Sequence, residues 1–264
     1  MKICYIIFMI INIISILLCY KNILNYNEIF KKAKICRLTY MDDILKIKKD
    51  KLNMYNNYYL INDNKSVTLC YIFYNKKNID IYFRGTSTHI NEIFININVF
   101  PSQYINNNIY IHSGFLNKYL SIKDKIIDKI DEIIKNNDIK EISFNGHSSG
   151  GAIANIASLD LSDKYKNKII KCYTFGSPNV GNNNFLKEYN KRINISLRIV
   201  NKNDIIQYLP PILYDKDVNK KIILIEDKKR EKPLKDILLN LYNYIKSNHA
   251  ISSYIKNLKR LNIK

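Results

Sequence analysis

Phe144-Asn145-Gly146-His147-Ser148-Ser149-Gly150-Gly151-Ala152-Ile153 is the stretch whose reading decides the architecture. Residues 146–150 fit G-x-S-x-G. The stretch 139–144 before it reads as a β-strand, and the Ala- and Ile-rich run at 150–161 after it reads as a helix. A sharp strand-to-helix turn of this kind pushes a serine hydroxyl out at the carboxyl edge of a sheet. Glycines two residues before and two after the serine leave room for strand and helix to lie close together. The helix N-terminus adds N–H groups and a partial positive charge beside that hydroxyl. Ser148 is therefore the candidate nucleophile. Ser149 should turn its side chain elsewhere and its backbone N–H toward an oxygen that becomes negative.

The rest of the chain makes this stretch stand out. All seven glycines fall in four short motifs: Arg84-Gly85-Thr86, His112-Ser113-Gly114-Phe115, residues 146–151, and Phe175-Gly176-Ser177-Pro178-Asn179-Val180-Gly181. Elsewhere the chain is Lys, Asn, Ile and Tyr. So strong a bias removes glycine wherever another residue serves, and glycine persists where a Cβ would clash or φ must be positive. A 47% hydrophobic content suffices for a full core and excludes a disordered chain. The net charge is +19, from 42 Lys and Arg against 23 Asp and Glu, spread along the chain rather than gathered in one arm. Such a balance is either a solvated surface set by composition or an attraction to anionic membrane or lipid surfaces. No nucleic-acid-binding motif accompanies the charge, which argues against nucleic acid as a partner.

Patterning along the chain gives one α/β domain. Residues 67–74 and 79–83 read as strands joined by the turn Asn75-Lys76-Lys77-Asn78. Residues 108–111, 169–175, 195–200 and 221–225 read as further strands. Residues 116–136 read as one amphipathic helix, with Ile122, Ile126, Ile130, Ile133 and Ile134 recurring at three and four residues. Strands alternating with helices after residue 100 predict a mostly parallel central sheet flanked by helices. Residues 21–65 are expected to be a helical extension packed on the outside, with the main domain over 66–264. At the N-terminus Lys2 precedes an apolar run from Ile3 to Cys19. That length falls between a secretory signal core of about 7–15 residues and a span of about 20. Residues 1–20 are read as a cleaved signal peptide or an uncleaved signal-anchor, routing the domain to the outside, to the secretory or vacuolar lumen, or to a membrane it is anchored in. Without them Cys36, Cys70 and Cys172 remain, enough for one disulfide at most, and no Cys-x-x-Cys metal spacing exists. No metal or cofactor is expected.

A hydroxyl nucleophile needs a base, and the base an orienting carboxylate. The chain has four histidines. His147 lies inside the turn and cannot fold back on Ser148. His89 follows the Arg84-Gly85-Thr86 turn, and His112 ends a strand. His249 comes after the last strand, which fits the order serine, acid, histidine of sheet enzymes with this elbow. The acid then lies between 148 and 249. Asp204 follows the strand at 195–200, at the carboxyl edge, and Asp215 and Asp217 compete with it.

At this point the chain resembles the class 3 lipases, the fungal-lipase-like α/β-hydrolase family. Five motifs fall in the family order: Phe83-Arg84-Gly85-Thr86; residues 111–115; residues 146–151; Tyr173-Thr174-Phe175-Gly176-Ser177-Pro178-Asn179-Val180-Gly181-Asn182; and residues 198–211, from Arg198 through Asp204 to Pro211. The resemblance implies Ser148, Asp204 and His249 as the triad. It also implies Thr86, by its N–H and its hydroxyl, as one oxyanion donor, with the Ser149 N–H as the other. His249-Ala250-Ile251-Ser252-Ser253-Tyr254 looks like the histidine motif of the plant-type phospholipase branch, where an aromatic follows five residues later. Two departures are visible. The family's Trp-x-x-Asp-Leu lid pattern corresponds here to Ile93, Asn96 and Ile97, in a chain with no Trp, and the usual Leu after the nucleophile is Ser149.

The expected activity is hydrolysis of acyl-lipid esters, of triacylglycerol or phospholipid, through an acyl-enzyme. The alternatives are an esterase or acyltransferase on small esters, and a catalytically inactive, membrane-associated lipid-binding relative. The segment 89–103, with Ile90, Ile93, Phe94 and Ile97, is too apolar for an ordinary exposed loop and is read as a lid over the acyl groove; a buried core element is the competing reading. Replacing Phe94 and Ile97 by Ser should spare hydrolysis of soluble esters while weakening activity on vesicles, and equal loss on both substrates would favour the core element.

Overall fold

The computed structural model describes residues 26–41, 55, 57–86, 100–210, 221–225 and 247–261. The N-terminal apolar run lies outside the described residues. The largest sheet has seven strands in the order β1-β2-β3-β6-β7-β8-β9. These are β1 (Asn57–Asp63), β2 (Thr68–Tyr74), β3 (Asn78–Phe83), β6 (Glu141–His147), β7 (Ile169–Phe175), β8 (Ile195–Asn201) and β9 (Lys221–Ile225). β1, β2 and β3 form an antiparallel meander. From β3 onward every neighbouring pair is parallel. β4 (Pro101–Tyr104) and β5 (Asn106–His112) pair in a separate two-stranded sheet, so the strand expected at 108–111 does not join the central one.

Alternation along the strands assigns the two faces. On β2, Cys70 and Ile72 face one core while Tyr71 and Phe73 face the other. Helices α2 (Ser113–Leu120), α3 (Lys123–Asn136), α4 (Ser149–Ser162) and α5 (Asn183–Arg192) cover the first face, through residues such as Phe115, Ile130, Ile156 and Phe185. Helices α1 (Tyr26–Leu38) and α6 (Ile251–Leu261) cover the second, through Ile29, Ala33, Tyr254 and Leu258. The result is a three-layer helix–sheet–helix arrangement, with β6 in the middle of the sheet and α4 behind it.

Two sequence expectations need correction. First, the helical extension over 21–65 contains β1, an edge strand. Its Tyr58, Tyr59 and Leu60 are exposed and only Ile61 is buried, so it shows no alternation that a pattern search could find. α1 packs on the sheet as expected, with Ile29, Ala33, Ile35 and Cys36 in the second core. Its Lys32 is buried, its ammonium 2.6 Å from the Asp80 carboxylate, with the Tyr82 and Tyr173 rings 5.8 and 5.6 Å away. Asp80 also accepts the Tyr55 hydroxyl. A lysine from a Lys-rich stretch thus anchors a helix, because a buried ammonium is tolerable when a carboxylate and aromatic faces surround it.

Second, the single helix expected over 116–136 is two. α2 stops at Leu120, where the Ser121 hydroxyl donates to the Lys118 carbonyl at 2.9 Å and lies 2.8 Å from Ser66 Oγ. Ser is apt to compete with the backbone in this way. Ile122 then takes φ −125°, and α3 restarts at Lys123. The periodicity survives across the break because Ile122, Ile126, Ile130 and Ile133 all reach the same core. Ile130 is fully buried at the centre of that seam. Ile130→Ala should lower unfolding stability by about 2–5 kcal/mol in chemical denaturation, with the site geometry intact; a loss near zero would mean that α3 does not hold the layer together.

Candidate active site

The elbow is built where β6 ends at His147 and α4 begins at Ser149. Ser148 takes φ 57° and ψ −133°, a conformation that costs a residue with a Cβ on the order of 1–3 kcal/mol. Its N–H is held by the Phe175 carbonyl at 3.0 Å, across the β6–β7 edge. Strand and helix cross so closely that a Cβ on Gly146 would lie 2.6 Å from the Gly151 nitrogen. One on Gly150 would lie 2.9 Å from the Gly85 nitrogen. Six of the seven glycines would bring an added Cβ within 3.0 Å of a neighbour, which is why composition bias spared them.

The structure brings Ser148, His249 and Asp204 together. His249 Nε2 is 2.8 Å from Ser148 Oγ, and its Nδ1 is 2.7 Å from Asp204 Oδ2. All three side chains are buried. Asp204 Oδ2 also accepts the Tyr254 hydroxyl at 2.6 Å, and Oδ1 accepts the Ile206 N–H at 3.0 Å. Burial alone would raise this carboxyl; the His249 ring, the Tyr254 hydroxyl and the Ile206 N–H outweigh it and hold it below its usual value. A carboxylate only accepts, so His249 donates from Nδ1. Its Nε2 lone pair then receives the Ser148 hydroxyl hydrogen. Asp215 and Asp217, the competing acids, lie outside the described residues, as do His89 and the lid residues Ile90, Ile93, Phe94 and Ile97.

The surroundings fix these three groups from several elements. Gly176, at φ 55°, lets the chain pass beside the acid: a Cβ there would lie 2.8 Å from both Asp204 Oδ2 and the Tyr254 hydroxyl. Tyr254, on the first turn of α6, receives the Asn201 N–H at 3.2 Å while it donates to Asp204. The loop carrying Asp204 is braced by Gln207, whose amide donates to the carbonyls of Asn201 and Asp204 at 2.9 and 2.8 Å. Buried Arg198 donates to the carbonyls of Gln207 and Ser177 at 2.7 and 3.1 Å.

Sequence reasoning set His147 aside, and the structure gives it a positioning role. Its Nε2 is 2.7 Å from the His249 carbonyl oxygen, so that nitrogen carries the hydrogen. Its Nδ1 accepts from the Tyr40 hydroxyl at 2.8 Å. His249 is thereby held by its own backbone. The only signal in the sequence was the His in the second position of the elbow motif; Tyr40, 107 residues away, gave none. His112 caps α2 by accepting the Gly114 N–H at 3.2 Å and stacks on Phe115.

The two expected oxyanion residues also meet, in an unexpected way. The Thr86 N–H donates to Ser149 Oγ at 3.0 Å, and Thr86 Oγ1 lies 3.0 Å from the same atom. Ser149 was expected to contribute only its N–H, with its side chain turned elsewhere; instead its hydroxyl bridges to the Thr86 turn. The family's Leu could not accept that N–H.

Burial, followed by the nearby His249, lowers His147 from 6.5 to about 3. Burial lowers His112 to about 4. Between 6.5 and those values the unfolded chain binds protons that the folded chain refuses. Stability is therefore lost as pH falls through that window, and the depressed Asp204 adds a further loss below the ordinary carboxylate value. The thermal midpoint should fall on acidification from pH 6.5 to 4, less steeply in His147→Gln, and an invariant midpoint would contradict this assignment.

Comparisons with known proteins bear on the family and the fold. The family model for Lipase (class 3) matches residues 81–214, from β3 through the Asp204 loop. A secreted mono- and diacylglycerol lipase of Malassezia restricta is 27% identical over 130 residues, 46% of this chain and 43% of the relative. A chloroplastic phospholipase A(1) of Arabidopsis thaliana is 27% identical over 157 residues, 53% of this chain and 35% of the relative. The matched segments thus span less than half the length of these relatives. Among solved structures, a triacylglycerol lipase described as having a serine protease triad as its catalytic centre superposes with TM-score 0.65 at 25% identity, over 70% of this chain and 74% of that one. Lipase II of Rhizopus niveus does so with TM-score 0.62 at 25% identity, over 70% and 75%. With this match over half its length, its five ordered motifs and its central sheet, the chain belongs to the class 3 lipase family of α/β-hydrolases.

Proposed function

We propose that this chain is a serine lipase that hydrolyses carboxylic esters of acyl lipids. The observation that carries the reading is the unbroken hydrogen-bond chain Asp204–His249–Ser148, at 2.7 and 2.8 Å, with the tautomer fixed by the carboxylate. In the reaction Ser148 Oγ attacks the ester carbonyl while His249 Nε2 takes its proton. Asp204 holds the imidazole and stabilises its charged form. The tetrahedral oxyanion forms beside the N-terminus of α4, where the Ser149 N–H has no acceptor within the helix. Collapse expels the alcohol, which receives the proton from His249, and leaves the acyl group on Ser148. Water activated by the same histidine then releases the fatty acid and regenerates the hydroxyl.

The mono- and diacylglycerol lipase and the phospholipase A(1) among the relatives frame the substrate class. A net charge of +19 favours adsorption to an anionic lipid surface. Secretion is part of the proposal, supported by the secreted relative and by the apolar run from Ile3 to Cys19. Among the described residues no helix is long and apolar enough to cross a membrane, and no group of three or more His, Cys, Asp and Glu could hold a metal ion.

Fatty-acid release should be measured from triacylglycerol emulsions and mixed-acyl phospholipid vesicles, with Ser148→Ala as the blank. Release abolished in Ser148→Ala and lowered about 10⁴-fold in Asp204→Asn is expected, and the preferred substrate decides between lipase and phospholipase. Release unchanged in Ser148→Ala would overturn the proposal. Absence of release from both lipids would shift the reading to short soluble esters, then to an inactive binder.

A further inference from the structure

We propose that β1 is a self-pairing edge: two copies of this chain join antiparallel through their β1 strands, about a two-fold axis at Leu60, and their seven-stranded sheets become one. Nothing in this depends on what the active site hydrolyses.

Native sheets guard an edge strand with lysine, proline, a bulge or a covering element, because its outer N–H and C=O groups invite another strand. β1 shows none of these guards. It reads Asn57-Tyr58-Tyr59-Leu60-Ile61-Asn62-Asp63 and pairs with β2 residue for residue, without a register shift. The chain has 42 Lys and Arg, and none falls on this strand. Yet Tyr58, Tyr59 and Leu60 are 47, 47 and 46% exposed, so lysine would cost nothing there in burial. The direction of the backbone groups follows from the pairing. The Arg84 N–H donates to the Leu69 carbonyl, so Leu69 turns its groups away from β1. Its partner Asn62 therefore turns its own outward, and by alternation so do Leu60 and Tyr58. Of these outward N–H and C=O groups, the Asn62 carbonyl alone has a partner among the described residues, the Lys125 ammonium at 3.0 Å.

The strand fits a copy of itself. With the axis at Leu60, each Leu60 N–H donates to the partner's Leu60 carbonyl, and Tyr58 exchanges bonds with the partner's Asn62. On the α3 face Tyr59 then lies opposite the partner's Ile61, and on the other face the two Leu60 side chains meet; such cross-strand apolar pairs are favourable. The charges also match. Lys125 sits at the Asn62 end of the groove between β1 and α3, and Lys129 lies 3.9 Å from the Tyr59 ring centroid. Glu132 comes one turn further on, paired with Lys129 at 2.8 Å. The two-fold axis brings Glu132 toward the partner's Lys125, and the reverse. An isologous contact of this kind closes at two copies. β2 and β3 lie between β1 and the elbow strand β6, so both active sites stay open.

Sedimentation of the full chain over a dilution series should show a monomer–dimer equilibrium. Its dissociation constant should be on the order of 10 µM, since one strand pair lies at the low end of specific interfaces. Leu60→Pro removes an outward N–H that the β1–β2 ladder does not use, and Tyr59→Lys supplies the missing guard. Dimerisation should weaken by about 100-fold in the first and about 10-fold in the second. Both should unfold at the wild-type temperature when dilute; if one misfolds, the other carries the test. Under oxidation Leu60→Cys should crosslink, because directly opposed Cα atoms lie about 5.5 Å apart, within disulfide reach. Tyr58→Cys should not, because the axis puts its copies about 14 Å apart along the strands. A monomer at every concentration up to about 100 µM would overturn the proposal. So would a dimer that survives both Leu60→Pro and Tyr59→Lys, masses that grow beyond two copies, or Tyr58→Cys linking as readily as Leu60→Cys. Loss of fluorophosphonate labelling at Ser148 bears on the hydrolase reading alone and leaves this inference standing.

Discussion

The crossing of β6 and α4 at Ser148 is the constraint on which the site depends. The strand must deliver its last residue into a helix without a connecting loop, and the serine takes up the turn in a left-handed conformation, φ 57°. Such a turn exists only if neither neighbour carries a Cβ at the point of closest approach, hence Gly146 and Gly150. In return the hydroxyl is fixed at the carboxyl edge of the central strand, next to N–H groups at the start of α4. Its backbone cannot relax, because the Phe175 carbonyl of β7 holds the Ser148 N–H.

His249 comes from the segment leading into α6 and Asp204 from the loop after β8, and both are held by a buried polar network rather than by apolar packing. His249 is gripped at three points: by Asp204 and Ser148 through its ring and by His147 through its carbonyl. Asp204 in turn is fixed by Tyr254 and the Ile206 N–H, and its loop by Gln207 and Arg198. Every member of such a network must find a partner, since an unpaired polar group at these depths costs more than the bond it would make. The same rule governs α1, where Lys32 is tolerated beneath the sheet because Asp80 meets it.

Much of this was legible in the sequence, for a reason peculiar to the chain. A composition that discards glycine left it at the close approaches, so the elbow, the Gly176 passage and the Arg84-Gly85-Thr86 turn marked themselves. Chain order and the short supply of histidines then narrowed the base to His249. What stayed hidden is non-local. β1 has no alternation because it lies at an edge with one residue buried. The break at Ser121–Ile122 turns on one hydroxyl choosing a carbonyl, while the isoleucine periodicity runs straight through it. The Tyr40–His147 contact and the Thr86–Ser149 bridge join positions 107 and 63 residues apart, and no local pattern encodes either.

The account stands on Ser148 being the residue made nucleophilic by this geometry, with Ser149 beside it turned to another task. The most direct measurement is to react the folded protein with a fluorophosphonate, digest it, and locate the adduct by peptide mass spectrometry. A single adduct on Ser148, absent after denaturation and absent in His249→Ala, is the predicted result. An adduct on Ser149 or outside the elbow, or labelling that survives loss of His249, would contradict it.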